Sequence, residues 1–275
     1  DLLSEVRRTL ALEGETILTT ARALENPASA GAAEWVKAVK LLQSSLENGG
    51  KIVVTGVGKS GKIANKTAAT LASTGSQASF LHPTEGLHGD LGFVRRKDAV
   101  LAYSYTGNTE ELLRILPAFK SLNTPIVSVT GNPRSRLAEL SDAVLDASVA
   151  QEACPYNLAP TASTTLALAI GDALALALMK LRNFDAESFA RNHPGGSLGR
   201  KLNLSVSDAM QKGDSVGLVS EDTPMDQVVV VSTQKRLGAV LVVNGRKLVG
   251  LITDGDIRRS LAHREKFFDL RASEV

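Results

Sequence analysis

Two stretches rich in glycine and hydroxyl residues carry most of the chemistry on offer. The first, Gly56-Val57-Gly58-Lys59-Ser60-Gly61, follows a β-rich run and precedes a helical one. Its G-x-G-x-x-G spacing lets backbone N–H groups approach an anion at a helix start. A dinucleotide site of this kind also needs an acid about 20 residues on, at the end of the next strand. That strand ends here in Phe80-Leu81-His82, with Glu85 farther into the loop, so NAD is discounted. A Walker A loop would need a glycine where Val53 stands. What remains is an anion-binding turn with one cation, Lys59, or a plain tight turn bearing a surface lysine. The second stretch is Ser104-Tyr105-Thr106-Gly107-Asn108-Thr109-Glu110-Glu111. Its hydroxyls and glycine ahead of a helix make either a phosphate cradle or a Ser/Thr-rich helix cap.

The elements that position these loops show in the periodicity. Leu3, Leu10, Ile17 and Leu24 recur every seven residues, a helical face that Asn26-Pro27 ends. Trp35, Val36, Val39, Leu42 and Leu46 mark a second helix, closed by Gly49-Gly50. The two helices pack on a domain, and the heptad stripe also suits another subunit. Strands are expected at 52–56, 78–81, 99–104, 125–129 and 144–146, with helices at about 60–73 and 110–122 between them. Such alternation predicts an α/β fold, a parallel sheet covered on both faces. Ligands then sit beyond the carboxyl ends of the strands. Near Arg200 the character changes, and 205–262 reads as a compact α+β unit. The tail Arg271-Ala272-Ser273-Glu274-Val275 echoes Val206-Ser207-Asp208-Ala209, as the cut-off start of a second copy would.

Composition narrows the functional classes. The 275 residues carry 31 Lys and Arg against 29 Asp and Glu, with no basic block, which argues against a nucleic-acid partner. Hydrophobic residues at 43% permit a sizeable core, and aromatics at 4% make it aliphatic. The lone cysteine, Cys154, cannot form a disulfide within the chain and suits a reducing cytoplasm. No signal peptide or membrane span is expected. The longest apolar run, Leu166 to Met179, is broken by Asp172 and falls short of the roughly 20 residues a span needs, so it reads as a buried helix.

Several motifs resemble one family in the same order. Ser104-x-Thr106-Gly107-x-Thr109 resembles the phosphate loop of sugar isomerase (SIS) domains. The first glycine loop, His82-Pro83-Thr84-Glu85-Gly86-Leu87-His88-Gly89-Asp90, Glu152-Ala153-Cys154-Pro155, Leu158-Ala159-Pro160-Thr161-x-Ser163-Thr164-Thr165 and Asn192-His193-Pro194-Gly195-Gly196-x-Leu198-Gly199-Arg200 are similar to those of bacterial D-arabinose 5-phosphate isomerases. The part after Ser205 resembles a CBS module, with Thr253-Asp254-Gly255-Asp256 as its nucleotide-facing turn. The resemblance implies a flavodoxin-like SIS domain over 1–203, a CBS module over 204–265 and a truncated second module over 266–275.

The implied reaction interconverts D-arabinose 5-phosphate and D-ribulose 5-phosphate, supplying Kdo for lipopolysaccharide or capsule. Implied catalytic positions are Lys59, Glu111, Glu152 and His193. Implied substrate contacts are Gly58, Ser60, Gly75, Ser76, His82, His88, Ser104, Thr106, Gly107, Asn108 and Thr109. The family assembles as a homotetramer with sites between subunits, and His82 matches a position where zinc inhibits some members. No metal or cofactor is required, and a nucleotide could bind the CBS module. One departure is Asn108, where the family's loop often has a glutamate.

The chemistry asks for such groups. A carboxylate can carry a proton between adjacent carbons through a cis-enediolate. Burial should raise its pKa. Glu152 is preferred as base and Glu111 as orienting or second acid/base group, although Glu111 also stands where acids complement a helix dipole. Lys59 suits the enediolate oxygen, and His193 or His88 could open a furanose ring. Cys154 reads as a small loop residue, since no covalent intermediate is needed. The rival readings are an isomerase of another sugar phosphate and a non-catalytic sugar-phosphate sensor.

Overall fold

A computed structural model describes residues 1–193, 205–261 and 267–275. The chain divides into two compact units, Asp1–Asn203 and Leu204–Val275. The segment from Pro194 to Arg200, with the motif expected there, and the expected boundary at 203/204 lie outside the described residues.

In the first unit, α1 (Leu2–Ala23) starts where Asp1 accepts a bond from the Leu3 amide at 3.1 Å. Ser29 caps α2 (Ala30–Glu47) in the same way, accepting from Ala32 N–H. The two helices differ in what they bury. α2 puts Ala38 and Leu42 into the core, whereas α1 has no fully buried residue: Leu12 and Ile17 are half-buried, and Leu3 and Leu10 remain 71% and 67% exposed.

Five parallel strands follow: β1 (Ile52–Gly56), β2 (Ala78–Leu81), β3 (Ala99–Tyr103), β4 (Ile126–Thr130) and β5 (Ala143–Asp146), in the spatial order β2-β1-β3-β4-β5. Every residue of β1, β3 and β4 is buried, as strands covered on both faces must be. Successive residues feed opposite cores. Ile52 and Val54 pack on one face with Leu42 of α2, Leu71 of α3 (Gly58–Ser73) and Leu174 of α7 (Ala162–Leu181). Val53 and Val100 pack on the other with Leu112, Ile115 and Phe119 of α5 (Glu110–Ser121). Short helices α4 (Pro83–Leu87), α6 (Arg136–Leu140) and α8 (Ala186–Asn192) complete the unit.

The apolar run extends beyond the sequence estimate. α7 has 20 residues and a mean hydropathy of 1.7, long and apolar enough by those measures to cross a membrane. Its Leu166, Ile170, Leu174 and Leu178 lie one turn apart and are all buried against the sheet, which is the role the sequence assigned to it. Burying each such side chain is worth about 1.5–3 kcal/mol.

In the second unit, β6 (Leu218–Ser220) pairs parallel with β7 (Ala239–Asn244), and β7 pairs antiparallel with β8 (Lys247–Thr253). Helices α9 (Val206–Ala209), α10 (Met225–Lys235) and α11 (Asp254–Ser260) accompany them. The turn at Thr253 is a capping box, with Asp256 accepting from the Thr253 amide at 2.8 Å and its hydroxyl at 2.6 Å. The tail joins the same core: Ala272 is buried, and its amide bonds the Thr223 carbonyl at 2.9 Å.

Candidate active site

The strand order reverses at β1, because β2 lies to one side of it and β3 to the other. The loops leaving β1 and β3 therefore diverge and open a crevice at their carboxyl ends. A cavity of about 410 Å³ occupies it. Lys59 and Ser60 line it from the start of α3, Ser104 to Thr106 from the loop after β3, Glu152 from the loop before α7, and Ser163 and Thr164 from the first turn of α7.

Three helices begin around this cavity, and their ends differ. The N-cap of α3 is Val57 and that of α5 is Thr109, and neither side chain bonds the first-turn amides. Both ends leave N–H groups and the positive end of a helix dipole open to an anion. The third, α7, is stoppered by Glu152. Its Oε2 accepts from Thr161 N–H at 2.8 Å, the Thr161 hydroxyl at 3.0 Å and Ser163 N–H at 3.2 Å. The rest of that loop is wound tightly: Asn157 accepts from the Glu152 amide at 2.7 Å, and the Thr161 hydroxyl accepts from the Ala153 amide at 2.8 Å.

These donors overturn one expectation. Burial does push the Glu152 carboxyl upward, but the Ser163 hydroxyl beside it and the donors from Thr161 and Ser163 outweigh that push. The group is held below the usual carboxylate range rather than raised. The Ser163 hydroxyl is itself buried and has no hydrogen-bond partner among the described residues, so the donors that hold Glu152 are the Thr161 amide and hydroxyl and the Ser163 amide. In the same loop, backbone N–H groups of residues 156–159 lower the Cys154 thiol, that of Ala159 contributing most.

The loop after β3 is fixed by its own side chains. Ser104 is buried, shares a proton with the Thr109 hydroxyl at 2.9 Å and accepts from the Gly107 amide at 3.1 Å. Gly107 adopts a left-handed φ of 65°, and a β-carbon there would overlap the Ser135 side chain. Asn108 ties the loop to α6: its amide donates to the Thr106 carbonyl at 3.3 Å, and its oxygen accepts from Arg136 N–H at 3.2 Å. The Asn108 side chain is thus a structural brace.

The structure brings Lys59, Ser60, Ser104, Thr106 and Glu152 onto one cavity, with Gly58, Gly107, Asn108 and Thr109 in the loops that form it. Glu111 is exposed in the first turn of α5 and does not line the cavity. His82 caps α4, its Nδ1 accepting from Thr84 N–H at 3.3 Å, and His88 ends that helix in solvent. Both follow β2, on the cavity's end of the sheet but outside the cavity. Gly75, Ser76 and His193 line a separate depression of about 680 Å³ with Lys51, at the amino ends of β1 and β2. His193 stacks on Phe189 and places Nδ1 2.8 Å from its carbonyl. A carbonyl only accepts, so Nδ1 is the donor in this contact. Among the described residues no three His, Cys, Asp or Glu side chains group as a metal site.

Sequence reasoning missed Tyr103, Tyr105 and Ser163 as cavity residues. Tyr105 and Ser163 lie inside the motifs quoted above, but neither carries a charge or a distinctive spacing.

Comparison with known proteins gives a consistent picture. Residues 45–177 match the SIS domain family and 206–263 the CBS domain family. The Pseudomonas aeruginosa protein named arabinose 5-phosphate isomerase KdsD is 45% identical over 262 residues, covering 95% of this chain and 77% of that one. The Francisella tularensis protein of the same name is 43% identical over 240 residues, covering 87% and 73%. Among solved structures, c3406 of E. coli CFT073 in complex with arabinose 5-phosphate superposes with a TM-score of 0.63 at 39% identity, covering 70% of this chain and 98% of that one.

Proposed function

The chain belongs to the KdsD family of arabinose 5-phosphate isomerases, and we propose that its 410 Å³ cavity is where D-arabinose 5-phosphate and D-ribulose 5-phosphate interconvert. The observation that carries this reading is the convergence of two uncapped helix starts, one cation and one ionised carboxylate on a single cavity. The phosphoryl group docks at the start of α5 against the hydroxyls of Ser104, Thr106 and Thr109, where N–H groups and the helix dipole favour a dianion. The carbon chain then extends toward Lys59 and Glu152.

In the aldose-to-ketose direction, a carboxylate takes the C2 proton. The C2–H electrons form the C1–C2 double bond, and the carbonyl oxygen on C1 gains a proton. Return of a proton to C1 and loss of the O2 proton give the ketose, with no net gain or loss of electrons. Glu152 is the one carboxylate lining the cavity among the described residues, and its Oε1 is free of the clamp on Oε2, so it keeps first place as base. A carboxyl held low is ionised throughout the neutral range and ready to accept. Lys59 balances the enediolate oxygen. Glu111, in the first turn of α5 beside the phosphate cradle but off the cavity wall of one chain, would be the orienting or second acid/base group, and His193 the ring opener.

His193, Gly75 and Ser76 sit at the opposite end of strands that span about 17 Å, so one chain cannot bring them to its own cavity. A second copy can, and we place the site between subunits of a homotetramer. Proton transfer alone completes the reaction, so we propose no required cofactor, with zinc at His82 inhibitory at most. The CBS unit is the place for a nucleotide. A cytoplasmic location and supply of Kdo complete the reading.

The test is incubation of metal-free protein with D-arabinose 5-phosphate, followed by proton NMR. Ribulose 5-phosphate should form with the parent and not with Glu152→Gln. Inertness toward this and other pentose and hexose phosphates would leave a binding or sensing protein.

A further inference from the structure

We propose that Tyr103, Thr67 and Gly171 form a rivet between α3 and α7 that sets the separation of Lys59 and Glu152, which makes them positioning residues for the chemistry of the cavity. The inference deepens the isomerase reading and rests on it. Lys59 stands in the first turn of α3, beside that helix's open amides. Glu152 is carried by the start of α7, because Thr161 and Ser163 hold its Oε2. The two helices leave the cavity side by side, and Ile63 and Ala167, one turn farther along each, still line it. About two turns in, roughly 12 Å from Lys59 and Ser163, the helices touch. There the buried Thr67 hydroxyl shares a hydrogen bond with the Tyr103 hydroxyl at 3.2 Å. Tyr103 ends β3, lines the cavity and is only 1% exposed. Gly171 faces both groups: a β-carbon there would overlap the Thr67 hydroxyl and stand 2.8 Å from the Tyr103 hydroxyl. Lys66 and Asp172 join the same two helices as an exposed ion pair, which adds little.

A close-packed contact has no spare volume, so a group added or removed at it shifts the elements it joins. Any side chain at 171 would displace a hydroxyl or part the helices. Burial pushes the Tyr103 phenol well above its ordinary range, so the hydroxyl keeps its proton and the bond does not loosen across the pH range of turnover. The phosphate cradle is braced separately, through Ser104 with Thr109 and Asn108 with Arg136. Spacing and phosphate binding can therefore be perturbed apart. Parting the helix starts moves Lys59 and Glu152 relative to each other, and a shift of about 1 Å at a reacting group can cost about 100-fold in rate.

The experiment takes kcat and KM for D-arabinose 5-phosphate in Gly171→Ala, Thr67→Val, Thr67→Ser and Tyr103→Phe, with calorimetric binding of two ligands. Arabinitol 5-phosphate lacks the reacting carbonyl and reports the phosphate dock. 4-Phospho-D-erythronohydroxamate has the planar shape of the enediolate and reports the groups around it. Gly171→Ala should lower kcat by about 30-fold or more and weaken the hydroxamate by a similar factor, with KM and arabinitol 5-phosphate affinity within about threefold. Thr67→Val and Tyr103→Phe should each lose about fivefold in kcat, and Thr67→Ser, which keeps the hydroxyl, under about twofold. Thermal melting shows that each variant is folded at the assay temperature. Crystal structures of the parent and Gly171→Ala should show the starts of α3 and α7 farther apart in the variant. The proposal is overturned by an unchanged kcat or an unchanged helix separation in Gly171→Ala, by an equal loss of arabinitol 5-phosphate affinity, or by Thr67→Ser no better than Thr67→Val. A parent that turns over nothing and binds the hydroxamate no more tightly than arabinitol 5-phosphate would sink the isomerase reading alone, and the helix separation would then decide the rivet.

Discussion

Removing the Glu152 carboxylate should destabilise the fold as well as stop the reaction, and the destabilisation should fade in acid. Glu152→Ala deprives three donors of their acceptor and leaves the Thr161 and Ser163 amides at the start of α7 without it. A hydrogen bond to a charged group is worth about 1.5–3 kcal/mol, and loss of a helix cap about 0.5–2 kcal/mol. The carboxylate is only partly buried, and solvent screening discounts the sum to about 2–3 kcal/mol. At roughly 2–4 °C per kcal/mol for a chain of this size, Tm should fall by about 5–10 °C at pH 7.5. Glu152→Gln keeps a carbonyl acceptor without the charge and should lose about half of that. The folded carboxyl is depressed relative to the unfolded one, so its contribution is fully present above the unfolded value of about 4.3 and is lost as pH falls through the folded value. Scanning calorimetry at fixed protein concentration should show the gap between parent and variant widest at neutral pH and closing in acid. A gap under about 1 °C at pH 7.5, or one that persists undiminished at low pH, would refute the clamp as a stabilising device.

Two further outcomes follow from the same loops. Gly107→Ala meets both a left-handed φ of 65° and the Ser135 side chain, so it should cost about 1–3 kcal/mol and disorder the cradle. Its kcat/KM should drop by about 100-fold or more, read by steady-state kinetics beside a melting curve, and a fully active variant would contradict the cradle geometry. The Cys154 thiol, lowered by the N–H groups of residues 156–159, should alkylate with a midpoint below the usual value of about 8.5. Iodoacetamide rates across pH test this, and a midpoint at or above that value would count against it.

How far the fold could be read in advance depended on the length of each signal. Strands β1, β3 and β4 stand out as continuous β-rich runs because both faces are buried, so no alternation dilutes them. Helices of a single turn, such as α4 and α6, leave no periodicity to detect. The Val228 to Val231 run shows the limit of propensity. Four β-branched residues would suit a strand, yet they lie in α10, where Val228 is buried and Val230 is 52% exposed. What holds them helical is the packing of Met225 and Val228 against Val240 and Ile252 of the neighbouring sheet, which no local pattern contains.

The site follows a similar division, with one part that topology makes legible. Loops that leave strands must lie at the carboxyl end of a parallel sheet, which is why Lys59, Ser104 and Thr106 meet. The charge state of Glu152 was not legible, because its donors stand 9 and 11 residues farther along, past a loop whose winding depends on Asn157 and Thr161. The same topological rule bears on Gly75 and Ser76. They precede β2, so a parallel sheet puts them at its amino end, on the far side from the cavity, whatever the details of packing. A residue before a strand and a residue after its neighbour cannot touch the same pentose phosphate within one copy. If both touch it, the amino end of one sheet has to meet the carboxyl end of another. The proposed site between subunits is thus what the strand order requires of that residue set.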